Sequence, residues 1–268
     1  PDAKIVQSEP EEVYVDIIGE GQRSTLFNEN WKFHRGDVEN AQDVNYNDTT
    51  WENINLPHDY SIDQEFTTSG EAESGFLPGG VGWYRKSFVV PEKYQDKQLM
   101  VEFDGAYMNA EVYLNGKKLG DHPYGYTAFA FDLTDGLICD GKTENVLVVK
   151  TNNQIPSSRW YSGSGIYRDV TLTVTDDVHV GYNGTQIIVQ DLEANKNGTV
   201  EVDITTTVEN DSDTTKTVTV KNTLLDENGE VASNTTTSQI EMAADSTQDI
   251  EQSVNVEKPE LWSVDDAN

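Results

Sequence analysis

The segment Ser157–Arg168, with the sequence SSRWYSGSGIYR, combines residue types that bind polar ligands. The guanidinium of Arg159 can donate two parallel hydrogen bonds to neighbouring hydroxyls or to a carboxylate. The adjacent indole of Trp160 has a flat apolar face that can stack on the C–H face of a sugar ring. From the residues alone, a structural ion pair between Arg159 and a nearby Asp is favoured, and a ligand contact stays open.

A histidine and a carboxylate are adjacent at His58 and Asp59, within the stretch LPHDY. Asp59 can orient the imidazole, but on spacing alone the favoured role of the pair is to cap or brace a loop. The other histidines are His34, His122 and His179. No two of the four are spaced as metal ligands usually are, so we predict no metal site, and no cofactor is expected.

Glycines are frequent between Thr67 and Gly82, but a phosphate-binding loop needs a helix and usually a Lys after it. A strand is predicted there instead, at Trp83–Val90, so we expect a long mobile loop at the edge of a sandwich. The single cysteine, Cys139, excludes an intramolecular disulfide. Without a CxxC or Cys/His spacing it is expected to be a small half-buried side chain rather than a nucleophile.

The chain has 268 residues, and its 48 acidic against 18 basic residues give a net charge of −30. Such a surface repels nucleic acid and the anionic cytoplasmic leaflet, so neither is an expected partner. Apolar residues at 35% and aromatic residues at 9% suffice for a folded core rather than disorder. No apolar run approaches the roughly 18 residues of a membrane span, and no membrane insertion is predicted.

The location of the protein is open from the sequence. The chain begins at Pro1 without a signal peptide, which favours a processed or excised segment. An acidic chain with one cysteine suits a secreted or surface-attached bacterial protein and also a cytoplasmic one. An extracellular or cell-surface location is favoured.

Composition changes near Asp176, which places a predicted domain boundary there. Of the 25 aromatic residues, only Tyr182 and Trp262 lie beyond this point, where Thr and Val prevail. Both parts alternate apolar and polar residues in short runs, and neither has a sustained helical stripe, so the fold class is all-β. We predict a lead-in segment at 1–24, a jelly-roll sandwich at 25–176 and an immunoglobulin-like sandwich at 177–268.

The predicted strands follow from this alternation and from two Asn-Gly turn signals, at Asn115 and Asn228. In the first part we predict strands at Gln98–Phe103, Asn109–Leu114, Tyr126–Asp132, Asn145–Thr151 and Tyr167–Thr175. In the second part we predict longer strands at Thr199–Val208, Thr215–Asp226, Glu230–Met242 and Thr247–Val256.

Several short motifs follow one another in a fixed order. They are Trp31–Phe33, Asn55–Tyr60, Gly82–Phe88, Phe103–Gly105, Val112–Gly116, Gly125-Tyr126 with Phe129 and Asp132, and Ser158–Tyr161 with Gly165–Val170. Together they resemble the N-terminal region of glycoside hydrolase family 2, on the β-galactosidase side. The match is specific over about residues 25–175. Over 177–268 it rests on length, position and the segment Pro259–Ser263.

The resemblance implies a sugar-binding jelly roll and an immunoglobulin-like domain, followed in the family by a (β/α)₈ barrel that carries two catalytic Glu residues. We therefore expect no catalytic residue in this chain, and a second sandwich truncated at its C-terminal end. The expected function is the non-catalytic N-terminal part of a retaining enzyme that hydrolyses terminal β-galactosides. The expected partners are a β-galactoside sugar and the barrel of the parent chain, and a homo-oligomer stays open.

By the same resemblance, Asp59 and Arg159 would reach the galactose hydroxyls, while Trp160 and His58 would shape the rim of the pocket. Many members carry an Asp shortly before the Gly-Ile segment, where this chain has Ser158 and Arg159. This departure implies that the two subtypes can bind the non-reducing sugar differently, which leaves the Arg159 assignment open. Two alternatives to the enzyme hypothesis stay open, a free-standing carbohydrate-binding module and a surface adhesion module.

Overall fold

The computed structural model describes residues 23–68, 70–156 and 159–264. The predicted lead-in at 1–24 lies outside these ranges except for Arg23 and Ser24. The chain forms two compact units, Pro1–Thr175 and Asp176–Asn268. Within the described ranges, no helix is long and apolar enough to cross a membrane.

The first unit is built from antiparallel strands that form two sheets. Its strands are β1 (Ser24–Leu26), β2 (Trp31–Arg35), β3 (Glu52–Ile54), β4 (Gly80–Val89), β5 (Gln98–Phe103), β6 (Ala110–Leu114), β7 (Lys117–His122), β8 (Phe129–Asp132), β9 (Glu144–Asn153) and β10 (Val170–Thr175). One sheet has the order β3-β2-β4-β9-β6-β7 and the other the order β1-β10-β5-β8. Short 3₁₀ turns lie at Glu92–Tyr94 and Thr134–Gly136.

The main core lies between these two sheets, because alternate residues of each strand point inward. It contains many aromatic side chains, among them Phe27, Trp31, Phe33, Tyr60, Tyr84, Phe88, Tyr94, Phe103 and Phe129. The six-stranded sheet also buries its outer face, where Trp83 and Val148 pack against Ala41 and Trp51. The central strands β4 and β9 are therefore buried on both faces, and the buried residues of β4 include the charged Arg85 and Lys86.

The turn between β6 and β7 has the geometry that its sequence predicts. Asn115 has a φ of 50° and Gly116 a φ of 83°, as a type I′ turn requires. Asn115 also donates from Nδ2 to the Gly136 carbonyl at 2.8 Å. The turn is thereby tied to the adjacent 3₁₀ segment.

The elements of the second unit are β11 (Val178–Val189), α1 (Leu192–Asn195), β12 (Thr199–Asn210), β13 (Lys216–Val218), β14 (Lys221–Leu225), β15 (Val231–Thr236), β16 (Ile240–Met242) and β17 (Ser246–Glu257). Its strands form a three-stranded antiparallel sheet of order β11-β12-β17 and two two-stranded sheets, β13-β16 and the hairpin β14-β15. Its core is aliphatic, with one cluster at Val202, Ile204 and Val254 and another at Val208, Met242 and Ile250.

The all-β fold is confirmed, as a jelly-roll sandwich followed by an immunoglobulin-like sandwich. Two predicted strands of the second unit, Thr215–Asp226 and Glu230–Met242, are each divided into two. Both breaks face each other, since the Thr237 amide donates to the Val220 carbonyl at 3.0 Å and Thr237 Oγ1 accepts from the Val220 amide. A threonine hydroxyl thus replaces one regular ladder bond at the break.

Candidate functional site

Two segments that lie about a hundred residues apart in the chain meet at one end of the first unit. The loop after β3 carries His58 and Asp59, and the loop before β10 carries residues 159–166. The His58 amide donates to the Ile166 carbonyl at 2.8 Å, and the Tyr60 amide donates to the Ser164 carbonyl at 2.9 Å. These backbone bonds hold the two segments in fixed register, so Asp59 faces the second loop.

The Asp59 carboxylate fastens the two loops together. Its Oδ1 accepts from the amides of Ser61 at 2.9 Å and Ser164 at 2.8 Å. Its Oδ2 accepts from the Tyr161 hydroxyl at 2.5 Å. A carboxylate oxygen has two lone pairs, so Oδ2 keeps one position for a further donor such as a ligand hydroxyl.

A glycine is required where the second loop passes Asp59. A Cβ at Gly163 would lie 2.8 Å from Asp59 Oδ2, and Gly163 has a φ of +72°. Because of this close contact and this positive φ, any other residue at position 163 would be strained. Burial, followed by the bond to Asp59, raises the pKa of Tyr161, which therefore stays a hydrogen-bond donor at neutral pH.

His58 lies beneath the surface, with 12% of its side chain exposed. Its Nδ1 is 2.9 Å from the hydroxyl of the buried Tyr84, and its ring packs edge-on against Phe33. Burial lowers its pKa below the usual value. The nearest carboxylate is Asp63, whose Oδ2 is 3.6 Å from Nε2, so Asp59 is not the partner of this ring.

Arg159 and Trp160 are exposed residues of the same loop as Tyr161, which donates to Asp59. No hydrogen bond or ion pair joins the Arg159 guanidinium to another described residue, so within the described ranges the expected structural ion pair does not form. Trp160 is 58% exposed and donates from Nε1 to the Tyr126 hydroxyl at 2.8 Å. Arg159 and Trp160 thus both present exposed side chains at the surface of this loop.

Several residues that build this site were not predicted from the sequence. Tyr161 holds Asp59, Tyr126 orients Trp160, and Ser164 is a buried residue whose hydroxyl lies 2.7 Å from Ser61 Oγ. The sequence signal for Tyr161 and Ser164 was their position between Arg159 and Gly165. Their partners lie on other segments, so spacing along the chain does not reveal the contacts.

Outside this region, the second unit brings together His179, Glu209 and Asp211, which have the chemistry of metal ligands. Nε2 of His179 is 3.4 Å from Glu209 Oε2, and Nδ1 is 3.7 Å from Asp211 Oδ2 and 3.0 Å from the Asp176 carbonyl. Both ring nitrogens thus already face acceptors within the protein. Glu209 is near the end of β12 and Asp211 directly follows that strand, about thirty residues beyond His179, which is why no spacing around His179 indicated the contact.

The chain is similar to known proteins over most of its length. Residues 39–176 match the family model for the sugar-binding domain of glycosyl hydrolases family 2, and residues 185–268 match a second model of the same family. The chain belongs to glycoside hydrolase family 2. The resemblance of the short motifs is thereby confirmed.

Curated members of family 2 include the β-galactosidase BoGH2A of Bacteroides ovatus, which is 41% identical over 253 residues. A β-glucuronidase of Formosa agariphila is 29% identical over 272 residues. The two alignments cover 93% and 92% of this chain but 29% and 27% of those proteins. The chain therefore corresponds to less than a third of such a glycosidase.

Solved structures of family 2 agree with the fold. A member from Bacteroides cellulosilyticus superposes with a TM-score of 0.85 at 33% identity, covering 91% of this chain and 32% of that one. A family 2 β-glucuronidase superposes with a TM-score of 0.81 at 27% identity, covering 92% and 28%. Enzymes with both names thus share this family 2 architecture.

Proposed function

We propose that this chain is the non-catalytic N-terminal part of a retaining family 2 enzyme that hydrolyses terminal β-galactosides. In this proposal Asp59 and Arg159 bind hydroxyls of the sugar, and Trp160 forms the rim of the pocket. His58 supports the site from below through Tyr84 rather than touching the sugar. The catalytic Glu pair belongs to a barrel that is the partner of this chain.

The observation that carries the proposal is the arrangement of Asp59 and Arg159. Asp59 has one oxygen saturated by two backbone amides and one oxygen with a vacant lone pair, which fixes the acceptor in space. Arg159, whose guanidinium is paired with no other described residue, precedes Tyr161, the third donor to Asp59, by two positions. Fixed donors and acceptors of this kind orient a sugar and bind its hydroxyls more tightly in the transition state.

Two observations favour a galactoside over a glucuronide as the substrate, although the Arg159 guanidinium could bind either. A glucuronide carries a carboxylate, and a chain with a net charge of −30 repels an anion as it approaches. A neutral galactoside meets no such barrier. The relative with 41% identity is named a β-galactosidase, which supports the same choice.

The test is Arg159→Ala in the enzyme that carries this chain, with hydrolysis of a nitrophenyl β-galactoside as the readout. We expect kcat/KM to fall by about tenfold, which equals about 1.4 kcal/mol of transition-state binding. Lys142→Ala, in an exposed loop of the same unit, is the matched control and should leave kcat/KM unchanged.

Three results would contradict the proposal. Unchanged turnover by the Arg159→Ala enzyme would show that Arg159 does not contact the sugar. Faster turnover of the glucuronide than of the galactoside would show that the proposed substrate is wrong. A coding sequence that continues past Asn268 without a catalytic domain would show that no barrel is the partner of this chain, and it would favour a free-standing binding module.

A further inference from the structure

A cluster of exposed aromatic side chains lies next to the Asp59 loop. Tyr124 and Trp160 are each 58% exposed and Tyr126 is 36% exposed. We call these three residues the aromatic platform. Soluble proteins seldom leave several large aromatic side chains exposed side by side unless the surface binds a partner.

The side chains of the platform are held in place. Trp160 donates from Nε1 to the Tyr126 hydroxyl at 2.8 Å, and the Tyr126 ring packs against Tyr107 and Tyr124 with centroids 5.1 and 5.7 Å apart. Rigid aromatic side chains offer a large contact area and lose little conformational entropy when they bind a ligand. The platform is therefore organised before any ligand arrives.

The backbone beneath the platform is fixed as well. The Tyr167 hydroxyl donates to the Gly125 carbonyl at 2.7 Å, between the two platform tyrosines. A Cβ at Gly125 would lie 2.1 Å from the Tyr107 ring, so only glycine allows this close approach. The loop between β7 and β8 is thus built around a buried aromatic support.

The chemistry of the platform identifies its ligand. The Trp160 N–H and the Tyr126 hydroxyl are bonded to each other, so the exposed rings contribute mainly apolar surface, and the Tyr124 hydroxyl is a polar group beside them. A pyranose ring has the matching shape, with a C–H face and hydroxyls around it. The net charge of −30 disfavours anionic chains, which leaves a neutral glycan.

The platform is continuous with the proposed sugar pocket. Tyr161, which donates to Asp59, directly follows Trp160, and consecutive Cα atoms lie about 3.8 Å apart. We propose that the aromatic platform binds a second sugar residue of a neutral glycan chain whose terminal sugar lies at Asp59 and Arg159. This inference rests on the proposed function and deepens it, because it makes the substrate an oligosaccharide or polysaccharide.

The test is isothermal titration of the full chain with galactose, β-1,4-galactotetraose and cellotetraose. We expect a tetraose to bind with a Kd about tenfold lower than that of galactose. Tyr124→Ala should raise that Kd about fivefold, since it removes an exposed stacking ring, and Tyr124→Phe should retain binding. Tyr182→Ala, an exposed tyrosine of the second unit, is the matched control and should bind as the wild type does.

The outcomes separate this inference from the proposed function. Equal tetraose binding by the wild type and Tyr124→Ala, or no tetraose binding by the wild type, would overturn the platform. Binding of cellotetraose alone, weakened by Tyr124→Ala, would support the platform and count against the galactoside. Loss of binding in Tyr182→Ala as well would overturn it, because the contact would not be specific.

Discussion

The two units bury different kinds of side chain. In the first unit the largest fully buried side chains include Trp31, Tyr60, Tyr84, Phe88 and Phe103. In the second unit the core clusters consist of Val, Ile and Met. A buried tyrosine adds a polar hydroxyl to a large apolar body, whereas valine and isoleucine add none.

The difference explains why the candidate site lies on the first unit. The Tyr84 hydroxyl reaches Nδ1 of His58 from within the core, and the Tyr60 hydroxyl donates to the Gly80 carbonyl at 2.8 Å. These hydroxyls support polar loops from below. In the second unit a buried amide, Asn210, instead binds the Ala243 carbonyl at 2.7 Å and stabilises a turn.

The largest expected effect is the loss of stability when a core side chain is truncated, and it should be greater in the aromatic core than in the aliphatic one. Trp31→Ala should destabilise the first unit by about 3–5 kcal/mol, because it removes a fully buried indole and leaves a cavity. Val202→Ala should cost the second unit about 2 kcal/mol. Hydrogen exchange of the β4 and β12 amides measures each loss. Equal losses would contradict the contrast between the two cores.

The second prediction concerns Lys86, a buried cation in the aromatic core. Its Nζ lies 4.2 Å from the Phe27 ring centroid and donates to the Glu29 carbonyl, and burial lowers its pKa to about 8. Below pH 8 the folded and unfolded chains are both protonated there, so the cost of burying the charge is fully present. As pH rises from 8 towards 10.5, only the folded state has lost the proton, and stability increases.

The measurement compares the wild type with Lys86→Met by denaturant unfolding at several pH values. The wild type should gain about 3 kcal/mol relative to the variant between pH 7 and pH 10.5. Lys117→Met, which removes an exposed lysine, should show no comparable change with pH. A flat difference for Lys86→Met would mean that the buried amine keeps its ordinary pKa.

A smaller loss of stability is expected when either of two carboxylates, Asp59 or Asp203, is replaced by an amide. Each of them accepts hydrogen bonds on both oxygens. Asp59→Asn should destabilise the first unit by about 1–2 kcal/mol, because an amide cannot accept from Tyr161 and from the two backbone amides together. Asp203 is half-buried like Asp59, but it accepts from two side chains, Ser253 and Gln190, rather than from backbone amides of a neighbouring loop. Asp203→Asn should lower the free energy of unfolding by less than Asp59→Asn does. Chemical denaturation of both variants measures the two losses. A larger loss for Asp203→Asn would reverse the comparison.

The smallest effect is expected at the β11 edge of the second unit, where consecutive apolar residues are exposed. Ile188 is 46% exposed, so Ile188→Thr should change stability by less than about 0.5 kcal/mol. Leu172→Thr, in the buried strand β10, should cost more than about 2 kcal/mol. Melting temperatures of the two variants check this. A marked loss for Ile188→Thr would show that this edge is packed.

Much of the fold was predictable because alternation and turn chemistry are local. The strand Gln98–Phe103 was predicted with the bounds that the structure gives it, and the Asn115-Gly116 turn has the predicted type. The short strands β1 and β3 were not predicted, since three residues carry too little alternation to be recognised. The breaks in the second unit depend on a Thr237 contact across a hairpin, which periodicity does not reveal.

Patterns along the chain predicted the all-β class, the family and four residues of the candidate site, His58, Asp59, Arg159 and Trp160. Their roles, and the contributions of Tyr161 and Tyr126, depend on the tertiary structure: Asp59 joins two loops, His58 lies under the surface and Trp160 is oriented by Tyr126. Strand patterning depends on neighbours along the chain, so one sequence reveals it. A hydrogen bond between Asp59 and Tyr161 depends on where two distant loops end, and the packing of the sheets sets that position.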